Sequence, residues 1–347
     1  MIIDERFSHK SFSKGAGNSL KVLLSGYYGY GNFGDELMRL SMEDFFKKYK
    51  IEYTLALPKR ISKDTISRFN LLELVGAIFD SDAFIYGGGG LLQDITSFKS
   101  FFYYVFSIHI SFLLNKPVIL FGNSFGPVRK PFDRFLLRYT LKNDKLYVFA
   151  RDIVSYRYAK HINKKATLSC DPSIRFLSTL NTLPEKKYDL ILIPRKIENV
   201  EQYDILKRYF QSIIVCPAQN SDIQTAKEIS KRLNADYIDN PDDVNTVLSY
   251  ILSSRTIISE RFHPTVVGAY FGIPFISLEN SKAERFFRKY TNRTDFFAKD
   301  LVDLPQRLKS VSESPLYLKF EMDKECDESF KKLYKILIRI KSFGSIL

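Results

Sequence analysis

The sequence predicts an α/β chain of two facing Rossmann-like domains, on three observations. Apolar runs of strand length alternate with amphipathic stretches of helix length, first over residues 19–178 and again over 186–312. Glycine-rich or polar turns follow strand after strand, as at the carboxyl edge of a parallel sheet, where doubly wound folds place ligands. At 347 residues, 45% of them hydrophobic and with 30 Phe and 21 Tyr, the chain is too long for one typical core and has the material for two.

Cys170, Cys216 and Cys326 are odd in number and widely spaced, with no C-x-x-C pair, which reads as a reducing, cytoplasmic setting without a zinc site. Residues 1–18 carry both charge signs and no apolar run, so a frayed leader is expected there rather than a signal peptide. The net charge of +13 is spread through the chain with no nucleic-acid motif beside it. It suits an anionic small substrate or contact with an anionic membrane surface.

In the first domain, strand Lys21–Ser25 is followed by Gly26, Gly29, Gly31 and Gly34, a loop that permits close backbone approach to a ligand. Gly29-x-Gly31-x-x-Gly34 has dinucleotide spacing, but no acidic residue after the second strand, Tyr53–Leu57, is well placed for a ribose. Asn32 lies in this loop, and Asp35 and Glu36 open an amphipathic helix to about Tyr49. Strand Asp82–Tyr86 ends in Gly87, Gly88, Gly89 and Gly90, then Gln93 and Asp94. Four successive glycines contribute no side-chain packing, so a ligand or the facing domain is expected against that backbone. Phe101–Leu114 is apolar but shorter than the roughly 20 residues that span a bilayer, and is expected as a buried helix. Strand Pro117–Phe121 leads to the turn Gly122-Asn123-Ser124-Phe125-Gly126-Pro127, and strand Leu146–Ala150 to Arg151-Asp152-x-x-Ser155.

Residues 178–187 read as a linker. Strand Tyr188–Ile193 then ends at Pro194-Arg195, and strand Ile213–Cys216 at Pro217-x-Gln219-x-x-Asp222. Strand Asp236–Ile238 and helix Asp243–Ser253 precede the apolar Thr256–Ile258, whose turn holds Arg261 and His263. Pro264 is expected at the first position of the next helix. Arg261 and His263 thus sit at a helix N-terminus, where free N–H groups and the dipole favour an anion that a guanidinium can grip. Strand Pro274–Leu278 and helices near 282–290 and 301–309 complete the domain. Residues 313–347 contain a basic amphipathic helix, about Lys324–Ile340, expected to cross back to the first domain.

Gly26-Tyr-Tyr-Gly-Tyr-Gly-Asn-Phe-Gly-Asp-Glu36, Gly87-Gly-Gly-Gly-Leu-Leu-Gln-Asp94, Gly126-Pro127, Arg151-Asp152-x-x-Ser155, Asp171-Pro172, Arg195, Pro217-x-Gln219-x-x-Asp222 and Arg261-Phe-His263 occur in this order along the chain. As a set, spanning Gly26 to Gly272, they resemble the polysaccharide pyruvyl transferase family. The resemblance implies a fold similar to that of the B-type glycosyltransferases. It further implies transfer of a pyruvyl group from phosphoenolpyruvate to two hydroxyls of a sugar, giving a cyclic ketal and phosphate. The acceptor it implies is a unit of a bacterial cell-surface or cell-wall polysaccharide, or its lipid-linked precursor at the inner membrane face. Two departures stand out: Pro264, where the family usually has a small residue, and Asn123, where Gln is common.

On this reading Arg195 and Arg261 clamp the donor's carboxylate and phosphate, and His263, as imidazolium, is the general acid toward the enol methylene. The acceptor is expected against Gly29, Gly31, Asn32, Gly88, Gly89, Gln93, Asn123 and Ser124, with Gln219 contributing from the second domain. Asp35 or Asp94 would take the hydroxyl proton, although each also suits a helix cap. His9, His109 and His161 are expected in structural roles, and no cluster has metal-ligand spacing, so no metal or cofactor beyond the donor substrate is expected. Two other functions fit the same residues less well: a glycosyltransferase using a nucleotide sugar, and a non-catalytic sugar-binding protein.

Overall fold

The computed structural model describes residues 19–95, 97–195, 200–239 and 243–344; the expected leader, with His9, lies outside them. The first domain holds strands β1 (Lys21–Ser25), β2 (Glu52–Leu57), β3 (Thr65–Ser67), β4 (Ala83–Tyr86), β5 (Gly89–Leu92), β6 (Val118–Phe125), β7 (Leu146–Ala150) and β8 (Thr167–Leu168). Around them pack helices α1 (Phe33–Lys48), α2 (Leu71–Asp80), α3 (Phe98–Leu113), α4 (Pro131–Leu141), α5 (Ile153–Ile162) and α6 (Ser173–Leu177). The second holds β9 (Tyr188–Ile193), β10 (Ile213–Val215), β11 (Asp236–Tyr237), β12 (Ser254–Ser259), β13 (Phe275–Leu278) and β14 (Phe297–Ala298). Its helices are α7 (Ile223–Leu233), α8 (Val244–Leu252), α9 (Phe262–Phe271), α10 (Ser281–Phe287) and α11 (Leu304–Glu313), and α12 (Lys319–Gly344) ends the described chain.

Both sheets are parallel. The first runs β3-β2-β1-β4-β6-β7-β8 with β5 beside β6, and the second β11-β10-β9-β12-β13-β14. The central strands β4 and β6 are buried along their whole length, as expected for strands covered by helices on both faces. Strand order reverses between β1 and β4 in one sheet and between β9 and β12 in the other. Crevices beyond the carboxyl ends at such switch points are where doubly wound folds hold ligands. The turns that the sequence marks, after β1, β4, β9 and β12, are the ones at these two points.

Several boundaries differ from expectation. The strand expected to stop at Phe121 continues to Phe125, through a register shift at Gly122, whose φ of 70° a side chain would strain. A Cβ there would also lie 2.3 Å from Pro172. The last two of the four consecutive glycines begin a strand, β5, paired with β6. Helix α9 begins at Phe262, so Pro264 is its third residue; the first four N–H groups of a helix lack partners, and proline is tolerated there too. Helix α3 has one buried face and one open face.

The domains are tied together around the cleft. The Phe33 N–H donates to the Ala218 carbonyl at 2.9 Å, and Asn32 Nδ2 to Gln219 Oε1 at 3.1 Å. Arg285 reaches from α10 to Asp152 at 3.0 Å, and Lys289 Nζ donates to the Arg151 and Ser169 carbonyls. Helix α12 crosses back: Phe330 packs its ring 5.0 Å from Phe45 and 4.8 Å from Phe121, and Lys341 pairs with Asp82 at 3.2 Å. No described helix is long and apolar enough to cross a membrane. Since Phe330 is 3% exposed, Phe330→Ala is expected to lower stability by about 3–5 kcal/mol. A urea midpoint unchanged from wild type would show that α12 does not complete the first core.

Candidate active site

A cleft of about 500 Å³ opens between the carboxyl edges of the two sheets. From the second domain it receives Arg195, at the end of β9, Arg261, at the N-cap of α9, and Lys282, in the first turn of α10. Arg195 is exposed, and among the described residues its guanidinium makes no ion pair. Its N–H donates to Glu260 Oε2 at 2.9 Å. Arg261 is already held by Asp222, which accepts from Nε at 2.9 Å and from Nη2. This pairing fixes the guanidinium plane beside the cleft while its Nη1 edge makes no described hydrogen bond.

Lys282 is a site residue that sequence reading missed. Dehydration in the cleft, then crowding by Arg151, lowers its pKa to about 8; Asp35 opposes this, while Arg195 and Arg261 reinforce it. Lys282 remains open to cleft water, which tempers the displacement. A lysine at the head of a short helix carries no motif, so only its place opposite the glycine turn reveals it: a Cβ on Gly90 would lie 3.6 Å from its Nζ.

His263 is the second residue of α9 and nearly buried, with Nε2 3.6 Å from Asp171 Oδ2. Asp171 comes from the other domain. Its Oδ2 also accepts from Arg151 Nη1 at 2.5 Å, and its Oδ1 from the N–H and hydroxyl of Ser173 at 2.9 and 2.6 Å. Burial alone would raise this carboxyl's pKa, but Arg151, His263 and Ser173 together hold it far below the usual range. Arg151 itself lies 4.7 Å from the centre of the Phe262 ring. The imidazole has its pKa lowered, by burial first, with Asp171 pulling it up and Arg151 and Lys282 pushing it down. It seats directly on Gly34: a Cβ there would lie 1.6 Å from His263 Nδ1. That glycine is therefore required by the imidazole.

Asp35 lines the cleft from α1, half-buried. It is not the helix cap, because Asn32 accepts from the Gly34 and Asp35 N–H groups at 3.1 and 3.2 Å. Burial is the largest influence on its carboxyl, and although Arg151 and Lys282 pull the pKa down, it stands at about 7. A carboxyl poised there can exchange a proton near neutrality.

The remaining expected site residues divide. Asn32, Gly89, Gln93 and Gln219 line the cleft. Gly29 and Gly31 do not; both have positive φ and shape the loop, and the Gly29 N–H donates to Glu36 at 2.6 Å. Gly88 is not open to the cleft, since a Cβ would meet Met38 at 2.4 Å. Asn123 is buried and donates to the Gly88 and Gly89 carbonyls at 2.9 and 3.2 Å, holding the glycine turn. Ser124 accepts from Arg151 Nε at 3.0 Å. Asp94, expected as an alternative base, is outside the cleft; it accepts from the Arg129 and Lys130 N–H groups just before α4, which lowers its pKa. Its bonds are structural, fixing the backbone that leads into that helix.

The sequence profile of the polysaccharide pyruvyl transferase family matches residues 32–282. The chain belongs to that family. As a polysaccharide pyruvyl transferase family member it is a transferase. Among solved structures it is similar to the glycosyltransferase SnogD from Streptomyces nogalater, at 10% identity and a TM-score of 0.51, covering 92% of this chain and all of that one. A functionally uncharacterised protein from Klebsiella pneumoniae matches at 18% identity and a TM-score of 0.48, over 81% of this chain and 93% of the other. No curated protein sequence matches the chain. SnogD supports the architecture alone, two parallel-sheet domains of the glycosyltransferase B type.

The Asp35 carboxyl makes a prediction about this pyruvyl transferase family member's stability. Its folded pKa of about 7 exceeds an unfolded aspartate's, so its charge destabilises the fold progressively as pH rises from about 4 to 7. Asp35→Asn is expected to melt later than wild type at pH 8, by the equivalent of roughly 1–4 kcal/mol, and to match it near pH 4. Equal melting at both values would place the carboxyl's pKa in the ordinary range.

Proposed function

We propose that this transferase moves the pyruvyl group of phosphoenolpyruvate onto two hydroxyls of a saccharide, forming a cyclic ketal and releasing phosphate. The observation that carries the reading is the convergence in one cleft of Arg195, Arg261, Lys282, His263 and a carboxyl of pKa about 7, with the buried Asp171 behind the imidazole. Phosphoenolpyruvate has a carboxylate and a phosphate, and these cations match that compact dianionic or trianionic shape. Metal is not required for donor charge in this reading, because the side chains supply it.

The chemistry needs a proton on the donor's methylene carbon, addition of a sugar hydroxyl to the resulting oxocarbenium-like carbon, loss of phosphate, and addition of a second hydroxyl. Across the sequence the methylene gains one proton, the two hydroxyls lose two, and the departing phosphate takes the other. His263 is assigned the donor-side proton. Its pKa is lowered in the empty cleft, and the donor's anionic charge, together with Asp171 behind the ring, raises it so that the proton is loaded when donor binds. Asp35 is assigned the hydroxyl proton, since its pKa lets it serve as base at neutral pH. The acceptor is proposed to be a unit of a bacterial surface polysaccharide, presented on its lipid carrier.

Calorimetry with phosphoenolpyruvate is expected to show binding that weakens about tenfold or more in Arg195→Ala, an exposed residue whose loss spares the fold. Affinity should fall as pH rises through about 8, where Lys282 loses its charge, and this fall should vanish in Lys282→Arg. His263→Ala should lower kcat by roughly 10²–10⁴. If it lowered donor affinity alone, His263 would be a binding residue. Displacement of phosphoenolpyruvate by UDP-sugars would instead favour glycosyl transfer.

A further inference from the structure

Helix α3 has two working faces. Ser100 and Tyr104 line the cleft, while Phe98, Phe102 and Phe106 emerge on the outside, 41%, 45% and 42% exposed. They stand one turn apart and form a ladder, with ring centroids 6.0 Å apart at each step. Helix α4 packs alongside and adds Phe132, Phe135 and Tyr139, all more than half exposed, with Phe135 and Tyr139 stacked at 6.3 Å. Large aromatic side chains in contact with water across two neighbouring helices exceed what an isolated surface residue requires, and contiguous apolar patches of this kind mark interaction sites.

The charges around these rings are mostly positive, the Asp94 carboxylate at the start of α4 being the exception. Helix α3 contains no acidic residue and exposes Lys99. Helix α4 exposes Arg134 and Arg138, its one acidic residue, Asp133, being buried. Lys130 Nζ lies 4.8 Å from the Phe98 ring centre. An open cavity between α4 and α5 continues the cationic surface with Arg138, Lys142, Tyr158 and His161. A second copy of this face would oppose arginine to arginine, so self-association is disfavoured by charge. Aromatic rings that can sit at headgroup level, ringed by cations, match an anionic lipid bilayer.

We infer that the α3–α4 face docks this transferase on an anionic membrane surface. Docking there sets the cleft, bounded by the other side of α3, next to the bilayer. Delivery of a carrier-linked sugar to the cleft rests on the proposed transfer reaction; docking itself does not. Helix α12, which the sequence singled out as basic, buries Phe330 and Leu333 in the first core, and its exposed Phe320 and Ile338 stand far apart along the helix rather than in a ladder.

The test is sedimentation with vesicles of phosphatidylcholine, with and without phosphatidylglycerol, at moderate salt and without donor or acceptor. Wild type is expected to pellet with the anionic vesicles only, and Phe102→Ser/Phe106→Ser to lose about tenfold or more of that binding. Arg134→Glu/Arg138→Glu should lose it as well. Circular dichroism melts matching wild type would exclude misfolding, as these side chains are exposed. Equal binding to neutral vesicles, no binding at all, or undiminished binding by the Phe variant would overturn the inference. So would a wild-type dimer in solution that the Phe variant dissolves, since the face would then be a protein interface. Vesicle binding by a protein that fails to bind phosphoenolpyruvate would leave docking standing and remove the transfer reading.

Discussion

The Asp171 carboxylate is where the site is assembled. One oxygen holds Arg151 of its own domain and faces His263 of the other, and the second oxygen anchors the start of α6 through Ser173. The carboxylate is fully buried, so its charge depends on these partners; removing one member of such a buried pair typically costs about 3–5 kcal/mol. Arg151 in turn holds Ser124 at the bulged end of β6, and Asn123 beside it holds the glycine turn. The geometry of both cleft walls thus passes through one carboxylate that never needs to change protonation.

Around it the charges are arranged so that cations are left over. Arg151 and Arg261 are matched by Asp171 and Asp222, whereas Arg195 and Lys282 make no ion pair among the described residues. Asp35, which would otherwise offset one of them, is about half protonated at neutral pH. The empty cleft therefore holds uncompensated positive charge in a partly dehydrated space, and Lys282 registers the strain in its lowered pKa. Binding an anion relieves that repulsion. The same crowding that disfavours the empty state becomes selectivity for a ligand of high charge density.

Much of this was legible from the chain. The alternation of strands and helices, the turns at the two switch points, and Arg261 and His263 at a helix start can all be read from residue pattern, because buried parallel strands and helix beginnings impose strong local composition. The glycines were legible as close approaches but not as to what approaches. Gly34 makes room for His263, Gly88 for Met38 and Gly122 for Pro172, each a partner distant in sequence. Asp35 and Asp94 looked alike, both acidic and both just after glycine turns. The fold separates them, sending one into a desolvated cleft and the other to exposed backbone N–H groups. Asp171 was legible as part of a motif but not in its role, and Lys282 not at all, since an aspartate before proline and a lysine on a short helix gain their roles only when the second domain is in place.

The seat of His263 on Gly34 carries a consequence for modularity. The imidazole belongs to one domain, and the absence of a side chain that accommodates it belongs to the other. The two halves are thus matched sterically at this pair of positions, in addition to the hydrogen bonds and ion pairs that tie them together. A chimera joining the first half of one relative to the second half of another would need to inherit residues 34 and 263 as a unit. Recombination within residues 178–187 would otherwise set a side chain at position 34 against the imidazole and keep the cleft walls from closing.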